Sequence, residues 1–136
     1  MGAAVNFKSR IGTGVARRSE DKIREQRIFD EILVDAYGGE EQALGWYYYL
    51  RECCSFPFSA KCRRSTALSP LKVGEVVDVL GMAPEDQCRH EMFVAIRFGG
   101  RTLAVPLSHL VTVEADESTN VAVADWRYWT DRGYTL

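Results

Sequence analysis

The feature that most constrains the fold of this chain is a glycine pair flanked by carboxylates and followed at once by an aromatic block. The segment Asp35–Leu50 reads DAYGGEEQALGWYYYL. Glycine commonly ends a helix because it adopts positive φ without strain, so Gly38 and Gly39 predict a break between two helices. The aromatic run at residues 46–49 predicts that the second helix is covered nearly all round.

The residue pattern is helical on both sides of this break. Ser19 is a good N-cap, and Glu20 and Asp21 follow it in the first turn, where the helix dipole favours anions. Apolar residues then recur at 3.6-residue spacing up to Tyr37, which predicts a first helix from Ser19 to the glycine pair. The second helix is predicted over residues 40–52.

The hydrophobic period changes to two beyond residue 55, which is typical of strands with one buried face. We predict strands over residues 58–62, 75–80, 92–98, 102–105 and 110–113. Gly99 and Gly100 predict a two-residue hairpin, because primed turns need positive φ. A single helical turn is predicted over residues 106–109, and a third helix from about Ser118.

These elements predict an α+β fold with two N-terminal helices, a small SH3-like antiparallel β-barrel and a C-terminal helix. We expect a flexible basic N-terminal arm over residues 1–18 and a single domain over residues 19–136. Because an SH3-like barrel hosts many unrelated activities, the fold by itself does not indicate a function.

Charge is distributed unevenly along the chain. The net charge is −2, but residues 1–27 hold seven Lys and Arg against three acids, so the rest of the chain is acidic. A nucleic-acid-binding domain would concentrate basic residues on its body, and we expect no nucleic-acid partner. No apolar run reaches the ~18 residues of a membrane span, so we expect no membrane partner. Residues 1–18 lack the long apolar stretch of a secretory signal, so we expect a cytoplasmic location and reduced cysteines.

The residues that could support an enzyme or a zinc site are few. The chain has two histidines and four cysteines, and neither Ser108 nor any cysteine has an obvious His–Asp support. We therefore predict that the protein is not an enzyme. Zinc stays an alternative, with Cys53, Cys54, Cys62, Cys88 and His90 as donors, but the chain lacks the Cys-x-x-Cys pair of common structural zinc sites.

Carboxylates in turns favour a hard cation instead. Calcium is bound by six to eight oxygens from carboxylates, carbonyls and water. The acids that we single out as candidate metal ligands lie beside the glycine pair, at the end of the second helix and in a loop between strands. They are Asp35, Glu40, Glu41, Glu52, Glu85 and Asp86. An EF-hand is excluded, because a loop beginning at Asp35 would place Tyr37 and Gly39 where acids are needed.

Several blocks, in this order, resemble the bacterial calcium-binding family typified by the cyanobacterial protein CcbP. They are ILVDAYG at 32–38, ALGWYYYL at 43–50, FPFSAKC at 56–62, SPL at 69–71, LGMAPED at 80–86, LAVPLS at 103–108 and DWRYW at 125–129. Together they cover roughly residues 28–130. The resemblance implies a small cytoplasmic protein that binds calcium on acidic surface loops, without known catalysis.

Because of this resemblance we favour calcium binding over the alternative functions, and we predict a Ca²⁺ buffer or sensor. Glu52, Glu85 and Asp86 are the preferred ligands, with Asp35, Glu40 and Glu41 as a second cluster. One position departs from the family pattern, since Arg51 stands where consecutive acids are usual, and we expect weaker affinity as a result. The alternative is a protein–protein interaction module with an SH3-like barrel, a weak or lost calcium site and an unidentified protein partner.

Overall fold

In the computed structural model of the protein, residues 20–136 are described. The predicted basic arm and the predicted cap at Ser19 lie outside this range. By internal contacts the chain falls into two compact units, Met1–Val34 and Asp35–Leu136. No helix within the described range is both long and apolar enough to cross a membrane.

The described part of the first unit is one helix, α1, over residues 20–32. Residues 20–27 are α-helical, and the stretch Ile28–Ile32 is π-helical.

The second unit begins with the turn that leads into helix α2, Gly39–Cys53. The glycine pair does not end the first helix, so that prediction is wrong. Gly38 is extended (φ −147°) and is the N-cap of α2. The left-handed residue is Asp35, with φ 60°, a conformation that aspartate tolerates better than most non-glycine residues.

Five antiparallel strands follow α2 in the second unit. They are β1 (Phe58–Cys62), β2 (Val76–Met82), β3 (Phe93–Phe98), β4 (Arg101–Pro106) and β5 (Leu110–Glu114). Their spatial order is β4-β3-β2-β1-β5. β1 pairs with β2 through Ala60 and Val77 and with β5 through Ala60 and Thr112. Between residues 58 and 114 the sheet does not close into a barrel, so the predicted SH3-like barrel is not confirmed, whereas the α+β class is.

Turn chemistry sets the connections of the sheet. Gly99 and Gly100 have φ of 57° and 77°, which the two-residue β3–β4 hairpin requires. A 3₁₀ turn, Leu107–His109, leads directly into β5. A second 3₁₀ turn, Glu85–Gln87, lies in the β2–β3 connection.

Helix α3, Glu117–Asp131, packs against α2 through a tryptophan cluster. The Trp46 ring meets Trp126 edge-on at a centroid distance of 5.0 Å, and Trp129 lies 5.7 Å away. All three side chains are buried. In the same layer, Tyr49 donates a hydrogen bond of 2.5 Å to the fully buried carboxylate of Asp125. These contacts fix the position of α2 and leave its opposite side to line a cleft.

Candidate functional site

A cleft of about 340 Å³ lies between the N-terminal half of α2 and the connection from β2 to β3. Its lining combines an apolar wall with charged groups. The lining residues are Gly39, Glu40, Ala43, Leu44, Tyr47, Glu85, Asp86, Cys88, Arg89, His90 and Leu136. Three of the six predicted ligands, Glu40, Glu85 and Asp86, are among them.

Two consecutive tyrosines of α2 hold the segment that carries Glu85 and Asp86. The buried Tyr47 hydroxyl donates to the Ala83 carbonyl oxygen at 2.8 Å. The Tyr48 hydroxyl donates to Oε1 of Glu85. Since the two rings meet edge-on, at 5.7 Å and 89°, both donors have a fixed direction. We call residues 83–88, with the two tyrosine contacts, the tethered loop.

Hydrogen bonds within the tethered loop complete its shape. Gln87 donates its amide to the Pro84 carbonyl at 2.9 Å, and Cys88 donates its amide to Glu85 at 3.0 Å. Burial leaves the Cys88 thiolate poorly solvated and therefore raises the pKa of this thiol. Cys88 sulfur instead accepts from the Phe93 amide at 3.4 Å. This cysteine therefore behaves as a packed side chain rather than as a reactive thiol.

Charged groups around the cleft shift the pKa values of Tyr47 and Tyr48. The hydrogen bond to Glu85, together with its negative charge, raises the pKa of Tyr48 above its usual range. Burial raises the pKa of Tyr47, and the charge of Glu85 adds to that effect. Arg51 acts in the opposite direction on both phenols. Its positive charge therefore acts on the two phenols that hold the tethered loop.

The other predicted ligands have different positions. Asp35, Glu41 and Glu52 are exposed and do not line the cleft. The structure brings Glu40, which we had grouped with Asp35 and Glu41, to the same cleft as Glu85 and Asp86. Glu52, which we had grouped with Glu85, lies near the C-terminal end of α2.

The donor chemistry fits calcium, but the carboxylates do not yet form a closed site. Glutamate and aspartate supply the hard oxygens that Ca²⁺ prefers. Within residues 20–136, however, no three histidine, cysteine, aspartate or glutamate side chains are gathered closely enough to hold a metal ion as they stand. The same finding disfavours the zinc alternative. Burial also raises the pKa of Cys54 to about 12, which makes this residue a poor thiolate donor.

A second acidic groove, of about 310 Å³, was missed in the sequence. It is lined by Pro57, Phe58, Ser59, Asp78 and Glu114. Asp78 and Glu114 flank Ser59 from the two strands that pair with β1. Only the strand order brings these acids together, so no local sequence pattern would have revealed them.

Asp116 has a structural role. Asp116 is the N-cap of α3 and accepts from the Thr119 amide at 2.8 Å through one oxygen. Its other oxygen accepts from the Ser55 hydroxyl at 2.7 Å. The Ser118 hydroxyl donates to the Cys53 carbonyl oxygen at 2.8 Å. We call these contacts the capping junction; they join the end of α2 to the start of α3.

Comparison with known proteins points to calcium. The profile of a CcbP family, described as calcium binding, matches residues 26–130. A crystal structure of CcbP from Anabaena is 40% identical and superimposes with a TM-score of 0.74, covering 85% of this chain and 94% of its own. A structure described as a calcium-binding protein in the calcium-binding form is also 40% identical, with a TM-score of 0.75 and the same coverage. No curated protein matches.

Proposed function

Because this chain belongs to the CcbP family of calcium-binding proteins, we propose that it binds Ca²⁺ at the cleft between α2 and the tethered loop. The observation that carries this assignment is the convergence of Glu40, Glu85 and Asp86 on one cleft. Glu40 lies 45 positions before Glu85 in the sequence, and no local motif unites it with Glu85 and Asp86. Acids from two elements at one cleft support a site assembled from separate segments rather than an EF-hand.

Glu85 and Asp86 are the central ligands in this proposal, and Glu40 approaches from the first turn of α2. Each carboxylate supplies one or two oxygens to Ca²⁺, and backbone carbonyls and water complete a shell of six to eight. The three carboxylates are not gathered in the present arrangement, so Glu40 and Asp86 have to turn toward Glu85 on binding. Asp35, Glu41 and Glu52 do not line this cleft. We keep them as candidate calcium ligands outside it.

The ordering of exposed side chains limits the affinity. Burying or fixing a glutamate side chain costs up to about 2 kcal/mol of rotamer entropy, and Arg51 adds a repulsive charge. We propose a dissociation constant of roughly micromolar or weaker, within the range of calcium sensors and weak extracellular sites. A buffer or sensor role follows from such an affinity, without catalysis and in the cytoplasm, where the four free cysteines stay reduced.

Calorimetric titration of chelator-treated protein with Ca²⁺ tests the proposal, with Mg²⁺ as the control ion. Saturable binding that Mg²⁺ reproduces poorly is the expected result. The variant Glu85→Ala with Asp86→Ala is expected to lose that binding, and the matched variant Glu114→Ala is expected to keep it. Unchanged binding after the double substitution would mean that the site lies elsewhere.

A protein-interaction module is the second candidate, and exposed apolar residues favour it. Leu68 is 97% exposed and Val73 is 67% exposed in the connection between β1 and β2. The strand order, with a 3₁₀ turn before β5, supports an SH3-like topology for the open sheet. If titration to millimolar Ca²⁺ gives neither heat nor a thermal shift, this candidate replaces the first.

A further inference from the structure

The Glu85 carboxylate is held by a donor outside its own loop. Glu85 is the first residue of a 3₁₀ turn and is exposed, a setting in which a glutamate side chain ordinarily samples several rotamers. The Tyr48 hydroxyl donates to its Oε1. The hydrogen bond therefore restricts Glu85 to a conformer that leaves Oε2 for another partner.

The donor itself is fixed by its surroundings. Tyr48 lies in the middle of α2, and its ring meets the Tyr47 ring at 89°. Tyr47 is only 7% exposed, and its hydroxyl is bound to the Ala83 carbonyl oxygen at 2.8 Å. The Tyr48 phenol thus joins a rigid helix to a carboxylate on the edge of the cleft.

This arrangement matches the way that proteins orient metal-binding carboxylates. A hydrogen bond to one oxygen of a ligating carboxylate fixes its direction, and the loss of such a partner typically weakens metal affinity 10–100-fold. A tyrosine hydroxyl is neutral and therefore leaves the negative charge of the carboxylate in place for the cation.

Building on the proposed calcium function, we propose that Tyr48 is a positioning residue of the calcium site, whose hydroxyl holds Glu85 so that its second oxygen faces the ion. Tyr48 does not coordinate calcium. It lowers the entropic cost of binding by ordering one ligand in advance, as preorganisation does for other binding sites. Replacement of the phenol by phenyl removes the hydrogen bond and keeps the packing of the ring.

A double-mutant cycle tests this role. Calcium affinity is measured by calorimetry for the full chain and for Tyr48→Phe, Glu85→Ala and the double variant, with thermal melts to show that each is folded. Tyr37→Phe is the matched control, because Tyr37 is 86% exposed and lies outside the cleft. We expect Tyr48→Phe to weaken binding about 10-fold in the native background and less than about 2-fold beside Glu85→Ala, which removes the acceptor of the Tyr48 hydroxyl.

The outcomes separate the inference from the function on which it rests. Tighter or unchanged binding by Tyr48→Phe overturns the positioning role and leaves calcium binding in place. An equal loss in both backgrounds also overturns it, since Tyr48 would then act through something other than Glu85. If the unaltered protein binds no calcium, the proposed function fails and the role of Tyr48 fails with it. A calcium-induced change in tyrosine near-ultraviolet absorption that is lost in Tyr48→Phe is the expected spectroscopic counterpart.

Discussion

The tethered loop and the capping junction look alike in the sequence but use their acids differently. Both place carboxylates in a turn between regular elements: Glu85 and Asp86 in one, and Asp116 with its acidic neighbours in the other. Both oxygens of Asp116 accept hydrogen bonds from the protein. At Glu85, only Oε1 has such a donor among the described residues.

The difference shows that the hydrogen bonds, rather than the number of acids, decide which turn can serve a cation. A carboxylate that caps a helix contributes its oxygens to backbone amides, so a metal ion would have to break those bonds. A carboxylate that is oriented by one donor keeps its other oxygen for a ligand. If calcium binds as we propose, it uses an oxygen of Glu85 that the fold leaves open, whereas at Asp116 it would compete with the cap of α3.

The largest effect that separates the two regions is expected from Glu85→Gln combined with Asp86→Asn. Amides keep the shape of the side chains but lose the charges, and calcium affinity should fall by more than about 100-fold. The melting temperature without calcium should change little, because both side chains are exposed. Calorimetry and a thermal melt measure the two quantities. A large loss of stability would show that the tethered loop is a structural turn like the capping junction.

The converse result is expected at the capping junction. Asp116→Ala removes the N-cap of α3 and the acceptor of the Ser55 hydroxyl, and should lower the melting temperature by roughly 5 °C. Calcium affinity should stay unchanged. A parallel loss of calcium binding and stability would contradict the division between the two regions.

The pH dependence of Asp116→Ala sharpens the comparison further. Hydrogen bonds from Thr119 and Ser55 hold the pKa of Asp116 below its usual value. A depressed folded-state pKa contributes stability above the unfolded value of about 3.9, and that contribution is lost as the pH falls through the folded pKa. The stability difference between the parent and Asp116→Ala should thus be full at neutral pH and shrink below about pH 4. Chemical denaturation at several pH values measures this difference, and a difference that does not shrink on acidification would contradict the assignment.

A smaller effect is expected where the tethered loop joins α2. Tyr47→Phe removes the buried hydrogen bond to the Ala83 carbonyl, at a cost of about 1 kcal/mol of unfolding free energy. Because Tyr47 holds the loop and not a carboxylate, calcium affinity should fall by less than about 10-fold. Denaturant unfolding and calorimetry give both values. A larger loss of affinity than that of Tyr48→Phe would show that loop position matters more than ligand orientation.

The sequence predicted the features that depend on near neighbours. Alternation of apolar residues located the strands to within a few positions, and Gly99 and Gly100 specified the β3–β4 hairpin, since periodicity and positive φ are local properties. The predicted end of the first helix was wrong, because Asp35 and not a glycine takes the left-handed conformation. The third helix was predicted from about Ser118 and begins at Glu117, with Asp116 as its N-cap.

Only part of the candidate site could be predicted from the sequence, and the reason is physical. Carboxylates in turns made Glu40, Glu85 and Asp86 candidate ligands, but their shared cleft depends on how α2 packs over the β2–β3 connection. The bond from Tyr48 to Glu85 spans 37 residues and has no local pattern. The aromatic block predicted a core, yet Tyr48 is 43% exposed because its hydroxyl reaches a carboxylate at the rim of the cleft.

The smallest effect is expected from Arg51→Gln, which removes the repulsive cation beside the tethered loop. Exposed charge pairs contribute only about 0.2–1 kcal/mol, so calcium affinity should rise about threefold at low ionic strength. The gain should largely disappear near 0.5 M salt, where the Debye length falls to about 4 Å. Arg101→Gln, in the β3–β4 hairpin, removes the same charge from a residue outside the cleft and should leave the affinity unchanged. Equal gains from both substitutions would mean that calcium responds to net charge, whereas a gain confined to Arg51→Gln would place the ion beside the tethered loop.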